Sequence, residues 1–339
     1  MALIFADSFD HYSDAQALRK WDSRSGSPVV TAAIGRNSTA GLRGTTTSGQ
    51  YYERKSLAAA ATYIVGHSIY SAASPSDTRA LCGFYEGATL QVSIVVLGDG
   101  RIQAKRGSST VLGTSTLTLT APQNNYIEYK ITASDAAGVV VVKVNGITFL
   151  NLSSQDTNNG GSSTISNFYA VGDGNAASFA WDIDDLYICD TTGSAPQNDF
   201  LGDVRVQAIL PTGAGNYTQW TPSAGSNYQN VDENPTTDDT DYNSSSTANQ
   251  KDTFVFGDVT PTAGTVYGVA VNMMMRKDDG GVRTLQALAR LSSTDANGAT
   301  LTVGSSYANY QTIFETKPGG GAFSITDVNN SEFGYELIS

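Results

Sequence analysis

Apolar and polar residues alternate with a period of two along most of the chain, in short runs separated by Gly, Pro, Asn, Asp, Ser and Thr. That period is the signature of strands with one buried face. Ile127, Tyr129 and Ile131 oppose Tyr126, Glu128 and Lys130 in this way. Strands are expected at Ala2–Phe9, Tyr51–Lys55, Tyr63–Tyr70, and Leu81–Tyr85 paired with Gln91–Leu97, from which Gly98–Gly100 turns into Arg101–Lys105. The most legible hairpin is Val139–Asn151, where Asn145-Gly146 supplies the two positive-φ residues of a type I′ turn. It sets Val144 opposite Ile147, Lys143 opposite Thr148 and Val142 opposite Phe149. Only Asp14–Trp21, with Ala17, Leu18 and Trp21 grouped, reads as a helical turn. Many antiparallel strands without crossover helices predict an all-β chain built of β-sandwiches, of the jelly-roll kind.

The alternation changes character once. From Ser178 to Asp184 it sets Phe179, Trp181 and Ile183 against Ala180, Asp182 and Asp184. It then vanishes over Leu186, Tyr187, Ile188 and Cys189, as expected of a strand covered on both faces. The run TTGSAPQN follows and cannot build a core, and Leu201 opens a new alternation through Val204, Val206, Ala208 and Leu210. This predicts two sandwiches in tandem, 1–192 and 201–339, joined by a linker at 193–200. In the second, Asp252–Phe256 reads as a strand, and Val266–Met275 is expected to return through Asp278–Gly281 and pair with Leu285–Leu291. Leu301–Glu315 and Phe333–Leu337 complete it.

Composition narrows the function classes. The 339 residues carry a formal net charge of −12 with no cluster of Lys and Arg, which disfavours a nucleic-acid partner. No apolar run approaches the roughly 18 residues of a membrane span, and Met1–Phe9 lacks the pattern of a leader, so a soluble, unprocessed chain is expected. Cys82 and Cys189 sit in apolar runs and read as buried reduced thiols.

Two resemblances emerge from these residues. The DSFDHY start, NNYIEYKI, VVVVKVNGI and the closing WDIDDLYI resemble, in that order, the concanavalin A-like lectin or laminin-G type sandwich found in many tailed-phage structural proteins. In the second half GDVRV (202–206), QWTP (219–222), Asn227-Tyr228, VDE (231–233), Asp238-Asp239-Thr240 with Tyr242, Gln250-Lys251-Asp252, Arg276-Lys277-Asp278 and Tyr307 resemble a recurring C-terminal domain of phage virion and tail proteins. The resemblance implies a virion structural protein, assembled in the host cytoplasm, with other virion proteins as partners. It implies a compact tail appendage, collar or fibre-base part first and a capsid decoration protein second. It carries no catalytic residue and no cofactor.

Hydrolysis of a glycan needs two carboxyl groups about 5 to 10 Å apart. Glu is confined to Glu53, Glu86, Glu128, Glu233, Glu315, Glu332 and Glu336, and Asp182-Ile183-Asp184-Asp185 has no partner Glu in the strand, so the chain is expected not to be an enzyme. His11 reads as a solvated loop residue and His67 as a half-buried sheet residue with a satisfied ring nitrogen. No metal site is assigned, although two acidic groups have calcium-type oxygens: Asp184 with Asp185, and Asp232, Glu233, Asp238, Asp239 and Asp241 in a loop that reads first as a flexible, solvated connection. Trp220, Tyr217 and Tyr228 read as core aromatics before a sugar-stacking platform. Outward Tyr, Thr, Ser and Asn suit protein contacts, so homo-oligomeric rings or trimers are expected, with a host-surface glycan as the alternative partner of the first sandwich.

Overall fold

A computed structural model describes residues 2–44, 49–174 and 181–339, so Ser178, Phe179 and Ala180 of the expected alternation lie outside the described residues. The fold is all-β, with two compact units: residues up to Asp10 with Asp14–Val206, and His11–Ser13 with Gln207–Ser339.

The first unit is two antiparallel sheets. One runs in the order Ile147–Gln155, Gly138–Val144, Gln123–Thr132, Thr62–Ser71, Asp182–Asp190, Gly41–Gly44, Pro28–Thr31, with Leu3–Asp7 also on Asp182–Asp190. The other runs Thr110–Thr118, Arg101–Arg106, Thr89–Val96, Arg79–Glu86, Ile165–Gly174, Gly49–Ala60, Ser23–Ser25. Alternation decides what lies between them. Ile127, Tyr129 and Ile131 of the first sheet are buried, and Phe84 of the second meets the Tyr129 ring edge-on at 6.4 Å. The helical turn is a 3-10 helix, Asp14–Arg19, which buries Ala17 but leaves Leu18 57% exposed; Trp21 just beyond it is buried.

The Asn145-Gly146 turn has φ of 49° and 79°, and Val144 pairs with Ile147 and Lys143 with Thr148. Val142 pairs with Leu150 rather than Phe149, because the register shifts by one residue there. A bulge of this kind leaves no trace in a pattern of period two until it has occurred.

The expected linker is an exposed turn segment, but Leu201–Val206 opens no strand and belongs to the first unit. This strap lies on the outer face of the eight-stranded sheet. Leu201 N–H donates to the Tyr187 hydroxyl at 3.2 Å, Gly202 N–H to Glu128 Oε1 at 2.8 Å and Val206 N–H to Asp185 Oδ1 at 2.7 Å. Lys143 stands over the Phe200 ring at 4.2 Å and Lys130 bonds Asp199. Such cover explains why Tyr126 and Glu128, expected outward, are buried, and why alternation is lost from Leu186 to Cys189.

In the second unit a six-stranded sheet runs Pro211–Thr218, Lys251–Phe256, Ser331–Leu337, Arg283–Leu291, Thr294–Asn297, with Leu301–Val303 also on Arg283–Leu291. Val269–Met275 does not return onto Arg283–Leu291. It pairs with Ala308–Phe314 as a ribbon, while Arg283–Leu291 pairs with Ser331–Leu337. Val271, Met273 and Phe314 of the ribbon share one core with Leu285, Ala287, Ala289, Phe254 and Phe333 of the sheet. Alternation identified the buried faces correctly; two faces that pack across a core look the same in sequence as two that neighbour in a sheet.

Nothing lies within 4 Å of where a Gly146 Cβ would project, so a substitution there tests backbone strain alone. Gly146→Val is expected to cost about 1–3 kcal/mol, read as a lowered melting temperature in calorimetry.

Candidate functional site

The acidic string on Asp182–Asp190 carries three buried carboxyl groups, Asp182, Asp184 and Asp185. Asp185 has φ 52°, at a register shift between Asp184 and Tyr187, and this kink turns both carboxyl groups toward the 36–40 loop and the strap. Asp184 Oδ2 accepts from Arg36 N–H at 2.7 Å and lies 3.0 Å from Thr39 Oγ1, and Oδ1 accepts from Asp185 N–H at 2.7 Å. Arg36 stands 3.4 Å from Asp185 Oδ2, 2.6 Å from Asp203 and 3.1 Å from the Val204 carbonyl, with its guanidinium over the Tyr126 ring. Asp182 is separate, in a bidentate pair with Arg43.

Burial, reinforced by neighbouring Asp185, pushes Asp184 up to about 8; burial raises Asp185 to about 6, against the pull of the Val206 N–H and Arg36. The Thr39 hydroxyl faces both the Arg36 carbonyl at 2.6 Å and Asp184 Oδ2 at 3.0 Å, and as a donor to the carboxyl it pulls Asp184 down, with the Arg36 N–H, against the larger effect of burial. These oxygens, the first calcium candidates, face N–H donors, a guanidinium and a hydroxyl. Among the described residues no three His, Cys, Asp or Glu side chains gather as a metal ion would need.

Other candidates are built into packing. Asp7, from the DSFDHY start, accepts from Trp21 Nε1 at 2.9 Å and lies 3.2 Å from Lys20 Nζ, whose burial lowers it to about 8. Glu53 pairs with Arg24 at 2.5 Å, yet burial still lifts it to about 7. His67 is fully rather than half buried. Its Nε2 has no hydrogen-bond partner among the described residues, and burial holds the ring neutral, lowered to about 4. His11 packs edge-on against the Tyr12 ring at 4.8 Å. Cys82 and Cys189 are free and buried.

In the second unit several residues of the resemblance fall into two hydrogen-bonded groups, one around Asp252 and one around Asp239, while GDVRV lies in the strap of the first unit. Asp252 accepts from Gln219 N–H, Trp220 N–H and Asn227 Nδ2, at 2.7, 2.9 and 2.6 Å. Asp239 binds Arg276 at 2.7 Å and the Tyr307 hydroxyl at 2.9 Å. Asn243 donates to the Asn227 carbonyl and the Tyr335 hydroxyl. The acidic loop read as a flexible connection is therefore tied down on several sides. Of its carboxyls, Glu233 is raised by burial and by neighbouring Asp241 and Asp232. Trp220 packs edge-on against Tyr335 at 4.6 Å and donates Nε1 to the Gln250 carbonyl, and Tyr217 lies beside Lys251 and Arg290, so both are built into packing.

One group was missed in the sequence, because its members come from distant strands. Tyr85 and Tyr169 stack at 3.9 Å and Tyr52 lies 4.4 Å from Tyr169, on the outer face of the seven-stranded sheet.

Compared with protein-family models and with curated proteins, the chain matches none. Among solved structures it is similar to a sialidase (11% identity, TM-score 0.35, 48% of this chain and 16% of that one). It is also similar to an alginate lyase (12%, 0.40, 54% and 95%) and to a sialidase of Trypanosoma rangeli (14%, 0.34, 48% and 26%). The chain thus spans under a third of either sialidase. These matched proteins are enzymes, so the expectation that this chain is not one is corrected and carried no further.

The raised Asp184 gives a pH dependence whose sign is fixed. An unfolded Asp titrates near ~3.9, so between there and about 8 the folded state holds a proton that the unfolded state has lost. The stabilisation is full below the unfolded value and disappears as pH rises through the folded one. Asp185 and Glu53 act in the same direction. Thermal unfolding is expected to show stability falling by about 1–2 kcal/mol from near pH 6.5 to near pH 8. Asp184→Asn should flatten that slope.

Proposed function

We propose that the chain is a structural component of a tailed-phage virion, a compact tail appendage, collar or fibre-base part that acts by protein–protein assembly. The supporting observation is where the resemblance-bearing residues of the second unit fall. QWTP, Asn227 and Gln250-Lys251-Asp252 order the irregular segment between Thr218 and Lys251 against the six-stranded sheet, and Asp239 ties it through Arg276 and Tyr307 to the ends of the Val269–Met275 and Ala308–Phe314 ribbon. A motif spent on fixing the shape of a long surface segment is what a part that docks by shape requires. Buried Asp252 and its three donors provide that rigidity, since a satisfied buried carboxylate has one favourable arrangement.

In this reading copies associate with closed symmetry, and Tyr-rich surfaces form the contacts. The net charge of −12 opposes non-specific clumping. Analytical ultracentrifugation of the full chain, alone and with particles lacking it, is the test. A discrete closed oligomer that binds those particles is expected. A strict monomer that does not bind them would overturn the reading. Asp252→Ala, which strands the Gln219, Trp220 and Asn227 donors, should abolish particle binding ahead of any loss of the first unit's fold.

A further inference from the structure

Both sheets of the first unit end, on one flank, in a long strand without a charged side chain. Thr110–Thr118 closes the seven-stranded sheet and Ile147–Gln155 the eight-stranded one, and they touch where a Cβ on Gly113 would come within 2.8 Å of Leu152. The opposite edges are guarded: Ser23–Ser25 is three residues with Arg24 at its centre, and Pro28–Thr31 opens with proline. Large apolar side chains stand in solvent on the unguarded flank, Val111 at 53%, Leu117 at 43% and Ile147 at 60% exposure.

At one end of this flank the sheets part around an open cleft of about 350 Å³, lined by Val144, Phe149, Leu117 and Ile147 among threonines and amides. Asn125 Nδ2 donates to the Thr120 carbonyl at 2.9 Å, and Asn145 accepts from Tyr126 N–H at 2.7 Å while its Nδ2 lies 3.3 Å from Asn125 Oδ1. With those amides spent on the chain itself, the apolar lining is what gains from cover. Val111 lies toward the other end, six residues from Leu117, or roughly 20 Å along the flank. A protruding apolar side chain and a recess for one thus sit at opposite ends of a single patch. Bulges between Val111 and Gly113 and between Thr148 and Leu150 interrupt both ladders, so side chains rather than an extended sheet have to carry a contact here.

We infer that this flank is a two-fold contact between copies of the chain, in which Val111 of each copy seats in the other's cleft against Leu117, Ile147 and Phe149. An isologous contact needs knob and hole within the same patch, and this patch holds both. Charge selects a second copy as the occupant. Two chains of net charge −12 repel wherever acidic surfaces meet, whereas neither edge strand bears a charge, and at the end away from the cleft Arg106 and Asp156 neutralise each other. A basic partner would find no carboxylate on either strand to pair with. Two nine-residue strands on sheets about 10 Å apart present a face of about 30 by 20 Å, so two copies bury about 1,200 Å² in all, the lower end of the range for specific interfaces. This contact is additional to the tyrosine surfaces of the assembly reading and does not rest on that reading.

Sedimentation velocity of the full chain from about 1 to about 100 μM tests it, the span in which an interface of this size associates. A concentration-dependent passage from monomer to dimer, or to a larger closed oligomer built on that dimer, is expected. Ile147→Lys and Val111→Lys should each weaken association roughly tenfold or more, since each buries a cation in an apolar contact twice over. Val282→Lys, at a side chain 71% exposed in the second unit, should leave it unchanged. In the unmodified chain, amides of Thr110–Thr118 and Ile147–Gln155 should gain protection from hydrogen exchange as concentration rises. A chain that stays monomeric throughout would overturn the inference, and the assembly reading falls with it only if particle binding is absent too. Association indifferent to both flank substitutions, equal weakening by Val282→Lys, or edge strands whose exchange ignores concentration would also overturn it.

Discussion

Covering the outer face of the eight-stranded sheet with the 199–206 strap is the constraint on which the first unit depends. A sheet face meant for water carries polar side chains, and covering it takes those groups out of solvent at a cost that only well-placed partners offset. Glu128 shows how this is met: Tyr187 donates to it at 2.6 Å and Gly202 at 2.8 Å. The Tyr187 ring reaches Glu128 by lying over Gly66, where any Cβ would fall 2.2 Å from a ring carbon. Asp185, kinked to positive φ, takes the Val206 N–H, while Arg36 bridges it to Asp203. Backbone amides of an irregular strap thereby find acceptors in carboxyl groups that themselves need donors.

The same economy appears in the second unit. Asp252 is fully buried and holds two backbone N–H groups and one amide of a segment that has almost no ladder of its own. Gly334 allows this close packing, since a Cβ there would meet the Asp252 carbonyl at 1.9 Å. In both units, then, buried acids act as acceptors for irregular backbone, and chemistry-bearing residue types are absorbed into architecture.

The all-β class, most strand positions and the Asn145-Gly146 turn were legible, because period two and positive-φ residues are local signals. Loss of alternation at Leu186–Cys189 correctly foretold cover on both faces, but not what supplied it. The strap hid because Val204 and Val206 alternate like a strand, and only Glu128, Tyr187 and Asp185, distant in sequence, reveal what it binds. Partner choice was illegible for Val269–Met275 for a related reason: its apolar face fits a neighbour within a sheet and a facing layer equally. Asp184 and Asp185 were singled out by charge density, yet their partners, Arg36 and Thr39, come from a loop with no pattern to mark it.

Amide hydrogen exchange at Leu201, Gly202 and Val206 tests the central claim most directly. If the strap is part of the first unit, these three amides exchange as slowly as those of Asp182–Asp190 and open only with the whole unit. Exchange at the rate of the exposed 191–196 turn, with Asp182–Asp190 still protected, would show that the strap is a linker and that Glu128, Tyr187 and Asp185 do not hold it.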